Sequence, residues 1–225
     1  MAGVKPKLKV GVLASGRGSN LTALIEAAAD PAYPAEIALV IVNIRGAAAL
    51  ARAEAAGIPA KVIEHRAFDT RAGFDAALDA ALRVAKVELV CLAGFMRLLT
   101  PKFVEAWRDR IINIHPSLLP AFPGLDTHAR VLAAGVKITG CTVHFVRHET
   151  DSGPILAQAA VPVLPGDTAD TLAARVLEAE HRIYPLALKL VAEGRVRVVE
   201  ERAEIVARTG GRAPPGTLLN PPQDA

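Results

Sequence analysis

Aromatic residues are scarce in this chain, 4% of 225 positions. That scarcity argues against the broad base-stacking surfaces of single-strand nucleic-acid binders. Cysteine is rarer still: Cys91 and Cys141 are the only two, each inside an apolar, strand-like run. Without a CxxC pair or a Cys/His spacing, no metal site is expected, and the two thiols read as buried and reduced. No apolar stretch is long enough to cross a bilayer. Met1 to Lys7 lead straight into a strand-like run without a signal-peptide pattern, so the cytoplasm is the expected compartment. Long runs of one charge are also missing. The 26 basic and 23 acidic residues are interspersed, for a net charge of +3, and no basic arm for nucleic acid is expected.

What the chain has is apolar mass, 52% of residues, with much of it alanine. A packed, helix-rich core follows. Strand-like runs at Leu8–Ala14, Ile37–Val42, Ala60–Ile63, Val87–Ala93 and Arg110–Ile114 alternate with amphipathic segments. Those segments predict helices at Leu21–Ala29, Ala47–Ala56, Thr70–Ala85 and Pro101–Trp107. The alternation predicts an α/β fold, a Rossmann-like, mostly parallel sheet with helices on both faces. Ligands in such sheets bind outside the carboxyl ends of the strands.

After residue 120 the pattern changes. A short helix is expected at Asp126–Ala134, then two strands, Gly140–Val146 and Ile155–Val163, as an antiparallel pair joined by a polar loop. A long helix, Thr168–Ala192, has Thr168 as its cap. Arg195–Val199 reads as a last edge strand. A single domain over 1–208 is expected, with 209–225 as a loose tail.

Three features carry chemistry. The first strand runs into Ser15-Gly16-Arg17-Gly18-Ser19-Asn20, and a helix follows. Glycines there allow a tight turn, and the helix start offers N–H groups to a phosphate. The loop lacks the Gly-Lys-Ser/Thr of a Walker motif. It also departs from the dinucleotide fingerprint, since Leu21 stands at the third small position and no acid ends the second strand. Arg45 leaves an NADP-type reading open. A plain turn without a ligand is the other reading.

The segment Ile111-Ile112-Asn113-Ile114-His115-Pro116 is the second feature. Strand alternation points Asn113 and His115 to one side, at the carboxyl end of a central strand. An amide donor beside an imidazole suits stabilisation of an oxyanion in acyl-type transfer. A satisfied core histidine with a capping asparagine is the competing reading. Asp151, in the polar loop, is the third feature. A carboxylate near His115 would favour its protonated form. On local sequence alone, Asp151 and Glu149 read as solvated turn residues. No serine or cysteine sits in a nucleophile elbow, so direct attack by a substrate amine is expected rather than a covalent enzyme intermediate.

A set of ordered motifs over about residues 8 to 200 resembles the phosphoribosylglycinamide formyltransferases. They are Gly16–Asn20, Ala93-Gly94-Phe95-Met96-Arg97, Asn113-Ile114-His115-Pro116-Ser117-Leu118-Leu119-Pro120, Phe122-Pro123-Gly124, Thr127-His128, Val143-His144-Phe145, Asp151-Ser152-Gly153-Pro154 and Glu180-His181-Arg182-Ile183-Tyr184-Pro185. The resemblance implies the formyltransferase fold. It also implies transfer of formyl from 10-formyltetrahydrofolate, as co-substrate, to the glycinamide amine of a phosphoribosyl substrate in purine biosynthesis, without a metal.

The same resemblance assigns residues. Asn113, His115 and Asp151 match the catalytic trio. Gly18, Ser19 and Asn20 match the phosphate-holding loop, and Glu180 a carboxylate at the glycinamide end. Arg71, Met96, Arg97, Leu98 and Leu99 match folate contacts, as does Asn113. Arg147, His148, Glu149, Thr150 and Asp151 match the folate loop. His144 matches a supporting position, with a core histidine as the alternative. Arg147 and His148 make the loop more basic than the family pattern, and Ser152 stands where glycine is expected.

Small-molecule partners are thus expected, with no nucleic acid and no membrane; a homodimer is left open. A methionyl-tRNA formyltransferase would need a further tRNA-binding domain, and a formyltetrahydrofolate hydrolase usually carries an N-terminal regulatory domain. Hydrolysis of the formyl folate is the enzyme alternative. A non-catalytic nucleotide- or folate-binding module is the alternative of another class.

Overall fold

The computed structural model describes residues 6–206 and the backbone of 219–220. Two compact units divide the chain, Met1–Ile112 and Asn113–Ala225.

The first unit holds β1 (Leu8–Ala14), α1 (Ser19–Ala28), β2 (Ala35–Val42), α2 (Ala48–Ala55), β3 (Ala60–Val62), a 3-10 turn (His65–Ala67), α3 (Arg71–Val84), β4 (Leu89–Leu92) and α4 (Pro101–Ala106). Its strands lie in the order β4-β1-β2-β3, with each adjacent pair parallel. Val10 to Ala14 and all of β4 are buried, as continuous apolar strands in a parallel sheet should be. With β1 between β2 and β4, strand order reverses at its edge. The carboxyl end of β1 is therefore a switch point, where α/β sheets take ligands.

Local chemistry sets the helix starts. Thr70 caps α3 by accepting from the Gly73 amide at 3.1 Å, and Thr100 caps α4 ahead of Pro101. Trp107 closes this part of the core. It is almost fully buried, its Nε1 donates to Asp79 Oδ1 at 2.8 Å, and the Arg110 guanidinium covers its ring.

The strand β5 (Ile111–His115) contributes Asn113 to His115 to the second unit. There follow α5 (Thr127–Ala133), β6 (Ile138–Phe145), β7 (Ile155–Pro162), α6 (Ala169–Ala192), β8 (Val196–Val199), β9 (Arg202–Ile205) and β10 (Leu219–Asn220). The antiparallel β6–β7 pair expected from sequence is present, in register from Ile138↔Pro162. Its register shifts between Val143 and His144. Such an irregularity re-aims the next side chain, and here that side chain belongs to His144. The helix α6 starts at a capping box of Thr168 and Thr171. It turns Leu172, Val176, Ile183, Tyr184 and Leu188 inward.

The α/β class and the antiparallel pair agree with the sequence reading. Two elements differ from it. The segment read as a last edge strand, Arg195–Val199, holds β8, which pairs with β9 in a separate two-stranded sheet. β9, Arg-Ala-Glu-Ile, is only four residues long, with Ala203 and Ile205 half-buried, and a tight turn joins it to β8. Within the span read as a loose tail, Leu219 and Asn220 pair with Ala159 and Gln158 of β7. The rest of 209–225 lies outside the described residues. Among the described residues, no helix is long and apolar enough to cross a membrane.

Candidate active site

Asn113 and His115 sit two positions apart on β5, so they share a face. The Asn113 amide nitrogen lies 3.2 Å from His144 Nε2. His144 Nδ1 lies 3.0 Å from the Phe145 carbonyl, which can only accept. Nδ1 therefore carries the proton and Nε2 accepts from Asn113. Burial holds the His144 pKa below the ordinary histidine value, against the opposing pull of the Phe145 carbonyl and the Asp151 charge. A neutral His144 is the form that fits, and it fixes the orientation of the Asn113 amide.

His115 is 6% exposed. Its Nδ1 lies 3.4 Å from Asp151 Oδ2, and its Nε2 lies 3.0 Å from the Phe122 carbonyl. Both neighbours are acceptors, so each ring nitrogen faces a group to which an N–H can donate. Asp151 is not the solvated turn residue that local sequence suggests. Its side chain is 10% exposed. Its Oδ2 accepts from the Gly124 amide at 2.8 Å, and its backbone is left-handed at φ 54. His144 Nε2 stands 3.8 Å from the other oxygen, Oδ1, too far for a hydrogen bond.

The turn that presents the Phe122 carbonyl is itself anchored. Ser117 is fully buried and donates to the Ala121 carbonyl at 2.6 Å, with that of Phe122 at 3.2 Å. Thr142 of β6 donates to the Ser117 carbonyl and accepts from the Leu119 amide. Gln158 of β7 donates to the Leu119 carbonyl at 2.9 Å. Sequence reasoning did not find Thr142, Gln158, or the backbone groups of Phe122 and Gly124. Backbone groups leave no residue-type signal, and Thr142 and Gln158 act from strands distant in sequence. Ser117 holds this loop from within.

Glu180 is 7% exposed on α6. It lies near Cys141, whose thiol is pushed up first by burial and then by the Glu180 charge. A buried carboxylate facing this strand can receive an amine or an amide N–H.

The other expected residues belong to the first unit. Gly18 is the residue before α1 and is left-handed at φ 74. A Cβ there would meet Ala49 Cα at 2.8 Å, so only glycine fits. No side chain caps α1, and the positive end of its dipole faces the glycine loop. Ser19 is half-buried and Asn20 buried. Arg52 braces the loop by donating to the Arg17 carbonyl at 2.8 Å.

The segment Met96–Leu99 is pinned at both ends. The Met96 amide donates to Ser15 Oγ at 2.7 Å, and the Thr100 amide to Asp75 Oδ2 at 2.6 Å. Between them Met96 and Leu98 are 66% and 59% exposed. Arg71 is exposed at the first turn of α3. Arg45, the residue of the NADP-type reading, pairs with Glu64 through two hydrogen bonds, at 3.1 and 3.2 Å.

Comparison with known proteins identifies the family. The formyl transferase family model matches residues 8–188. The chain is 55% identical over 194 residues to the trifunctional purine biosynthetic protein adenosine-3 of Gallus gallus, covering 86% of this chain and 19% of that protein. It is 42% identical over 208 residues to the phosphoribosylglycinamide formyltransferase of Escherichia coli K12, covering 92% of this chain and 97% of the relative. The chain thus spans about a fifth of the trifunctional relative and nearly all of the bacterial one. Among solved structures, glycinamide ribonucleotide transformylase 1 from Symbiobacterium toebii matches with a TM-score of 0.88 at 46% identity, covering 92% of this chain and 100% of that one.

Proposed function

This chain belongs to the formyl transferase family, and we propose that it is a phosphoribosylglycinamide formyltransferase of purine biosynthesis, with 10-formyltetrahydrofolate as the formyl donor. The observation that carries this reading is the His115–Asp151 pair beside an Asn113 amide oriented by neutral His144. Relatives that match nearly full length bear the same activity in their names.

In this reading the glycinamide amine attacks the formyl carbon directly. The new N–C bond forms first and gives a tetrahedral adduct, whose collapse breaks the bond from the formyl carbon to the folate nitrogen. Asn113 and protonated His115 donate to the developing oxyanion. Asp151 faces Nδ1 of His115 and would orient the ring. The amine gives up a proton, and the folate nitrogen takes one as it leaves. The amide and imidazolium suit a carbonyl oxygen because both are donors and neither is a nucleophile.

Gly18, Ser19 and Asn20 would hold the phosphate at the start of α1, where N–H groups and the helix dipole favour an anion. Glu180 would meet the glycinamide end. Arg71, Met96, Arg97, Leu98 and Leu99, together with the loop Arg147, His148, Glu149, Thr150 and Asp151, would contact the folate. The proposed compartment is the cytoplasm, where such small-molecule substrates meet.

The deciding assay follows deformylation of 10-formyltetrahydrofolate with and without the glycinamide nucleotide. Turnover that requires the nucleotide supports formyl transfer. Turnover independent of it would replace transfer by hydrolysis. Binding without turnover would leave a non-catalytic module.

A further inference from the structure

The loop that carries Asp151 is fastened to a hairpin that no catalytic assignment includes. Arg147 follows β6 at the entrance of that loop, and its side chain is 11% exposed. Its Nε donates to Glu201 Oε2, and its Nη1 to the Val146 carbonyl at 3.2 Å. Glu201 stands in the turn between β8 and β9. Val199 pairs with Arg202, which leaves Glu200 and Glu201 as a two-residue turn. Both are left-handed, at φ 48 and φ 58. This is the turn class that favours Asn-Gly, and glutamate is a poor choice for it. A strained residue persists where something else requires its side chain. Here the side chain reaches Arg147.

Elsewhere the loop is closed by backbone and one hydroxyl, with the Asp151 carboxylate itself held by the Gly124 amide. The Phe145 amide donates to the Pro154 carbonyl at 2.8 Å. Gly153 packs so closely on the Phe145 carbonyl that a Cβ there would lie 1.7 Å from its oxygen. Ser152 Oγ donates to the Glu149 carbonyl at 2.9 Å. The neck and the distal turn are thus fixed within the loop, and the Arg147 flank is fixed from outside it, by Glu201.

We propose that Glu201 is a positioning residue for the reaction: through Arg147, the β8–β9 hairpin latches the loop and sets Asp151 against His115. This rests on reading His115–Asp151 as the proton-holding pair. It also accounts for Arg147, a basic residue outside the family pattern, as a structural tie at the loop's entrance.

Glu201→Gly is the informative variant. Glycine suits the left-handed turn, so folding is retained while the carboxylate is lost. The expected result is an unchanged or higher Tm and amide hydrogen exchange in residues 147–153 faster by about tenfold. The kcat for formyl transfer should fall about tenfold with the nucleotide KM little changed, as expected when a reacting group is displaced slightly. Glu201→Asp keeps a carboxylate and tolerates the turn, and should recover a large part of the rate. Exchange is measured on the free protein. Unchanged exchange in Glu201→Gly overturns the latch whatever the activity. Faster exchange with unchanged kcat overturns its part in positioning Asp151. A wild-type chain without transfer activity would instead overturn the assigned reaction, and the exchange result would still decide the latch.

Discussion

Oδ2 of Asp151 lies 3.4 Å from Nδ1 of His115 and at the same time accepts the Gly124 amide at 2.8 Å. The carboxylate is therefore positioned by a backbone group and left to act electrostatically on the imidazole. Asp151→Asn keeps the shape and an acceptor for Gly124 but removes the charge. His115→Ala removes the imidazole. Each should lower kcat by about 10² to 10⁴, the range for a positioned acid or base. KM for both substrates should stay within a few-fold. Steady-state kinetics on the two variants check this, and near-normal kcat in both would falsify the roles assigned to the pair.

Most of the local structure was legible in the sequence because its causes are local. Strand alternation placed Asn113 and His115 on one face, Gly18 announced a turn, and Thr168 announced the start of α6. Asp151 was not legible from its neighbours. Its burial comes from Gly124 and His115, 27 and 36 positions away, and only the family resemblance pointed to it. The Phe122 carbonyl on His115 Nε2 had no signal at all, since any residue carries a carbonyl. The β8–β9 hairpin was half legible: both strands alternate in burial, but β9 is short and the turn holds two glutamates where glycine or asparagine would be the sign.

His144 sets a pH dependence. Burial keeps its folded pKa below the ordinary value of 6.5, so the unfolded chain takes up that proton first as pH falls. The unfolded state then binds more protons, and stability drops from about pH 6.5 downward until the pH passes the folded value. Above that window the effect is absent. His128, also lowered by burial and then by the His115 charge, adds a loss of the same sign. Protonation of His144 also removes the acceptor for Asn113. Thermal unfolding at a series of pH values should show His144→Gln with a shallower acid loss than wild type. Equal slopes would remove His144 from the account.

Gly18→Ala tests the phosphate loop. The substitution places a Cβ 2.8 Å from Ala49 Cα at a residue with φ 74. The expected cost is about 1–3 kcal/mol of stability from the left-handed backbone. The larger effect should be on the nucleotide, because the first turn of α1 must shift. KM for the glycinamide nucleotide should rise about tenfold or more, with the folate KM affected less. Isothermal titration with each substrate separates the two. A folate-selective loss would reassign the loop.

Ser15→Ala tests the other substrate. Ser15 is 5% exposed, and its hydroxyl takes the Met96 amide at 2.7 Å. Losing a buried acceptor costs about 1–3 kcal/mol, and the cost falls on the segment that ends in Leu99. The folate KM should rise about fivefold to tenfold, since about 1.4 kcal/mol is a factor of ten. Ser15→Thr keeps the hydroxyl and should preserve the wild-type value. If both variants weaken folate equally, the hydroxyl is not the anchor.

The Phe122 carbonyl creates a competition that catalysis must resolve. His115 Nε2 lies 3.0 Å from it, and that nitrogen is the donor the formyl oxygen would need while Nδ1 faces Asp151. One N–H cannot donate fully to two acceptors in different directions. Productive binding therefore requires the Phe122 carbonyl to yield its place, which loosens a turn held by Ser117 and Thr142. Exchange of the Ala121, Phe122 and Gly124 amides should speed up when a non-reacting formyl-folate analogue and the nucleotide are both bound. Exchange that is unchanged or slower would mean that Nε2 stays with Phe122. Oxyanion stabilisation would then rest on Asn113 alone, and Asn113→Ala would cost more rate than His115→Ala.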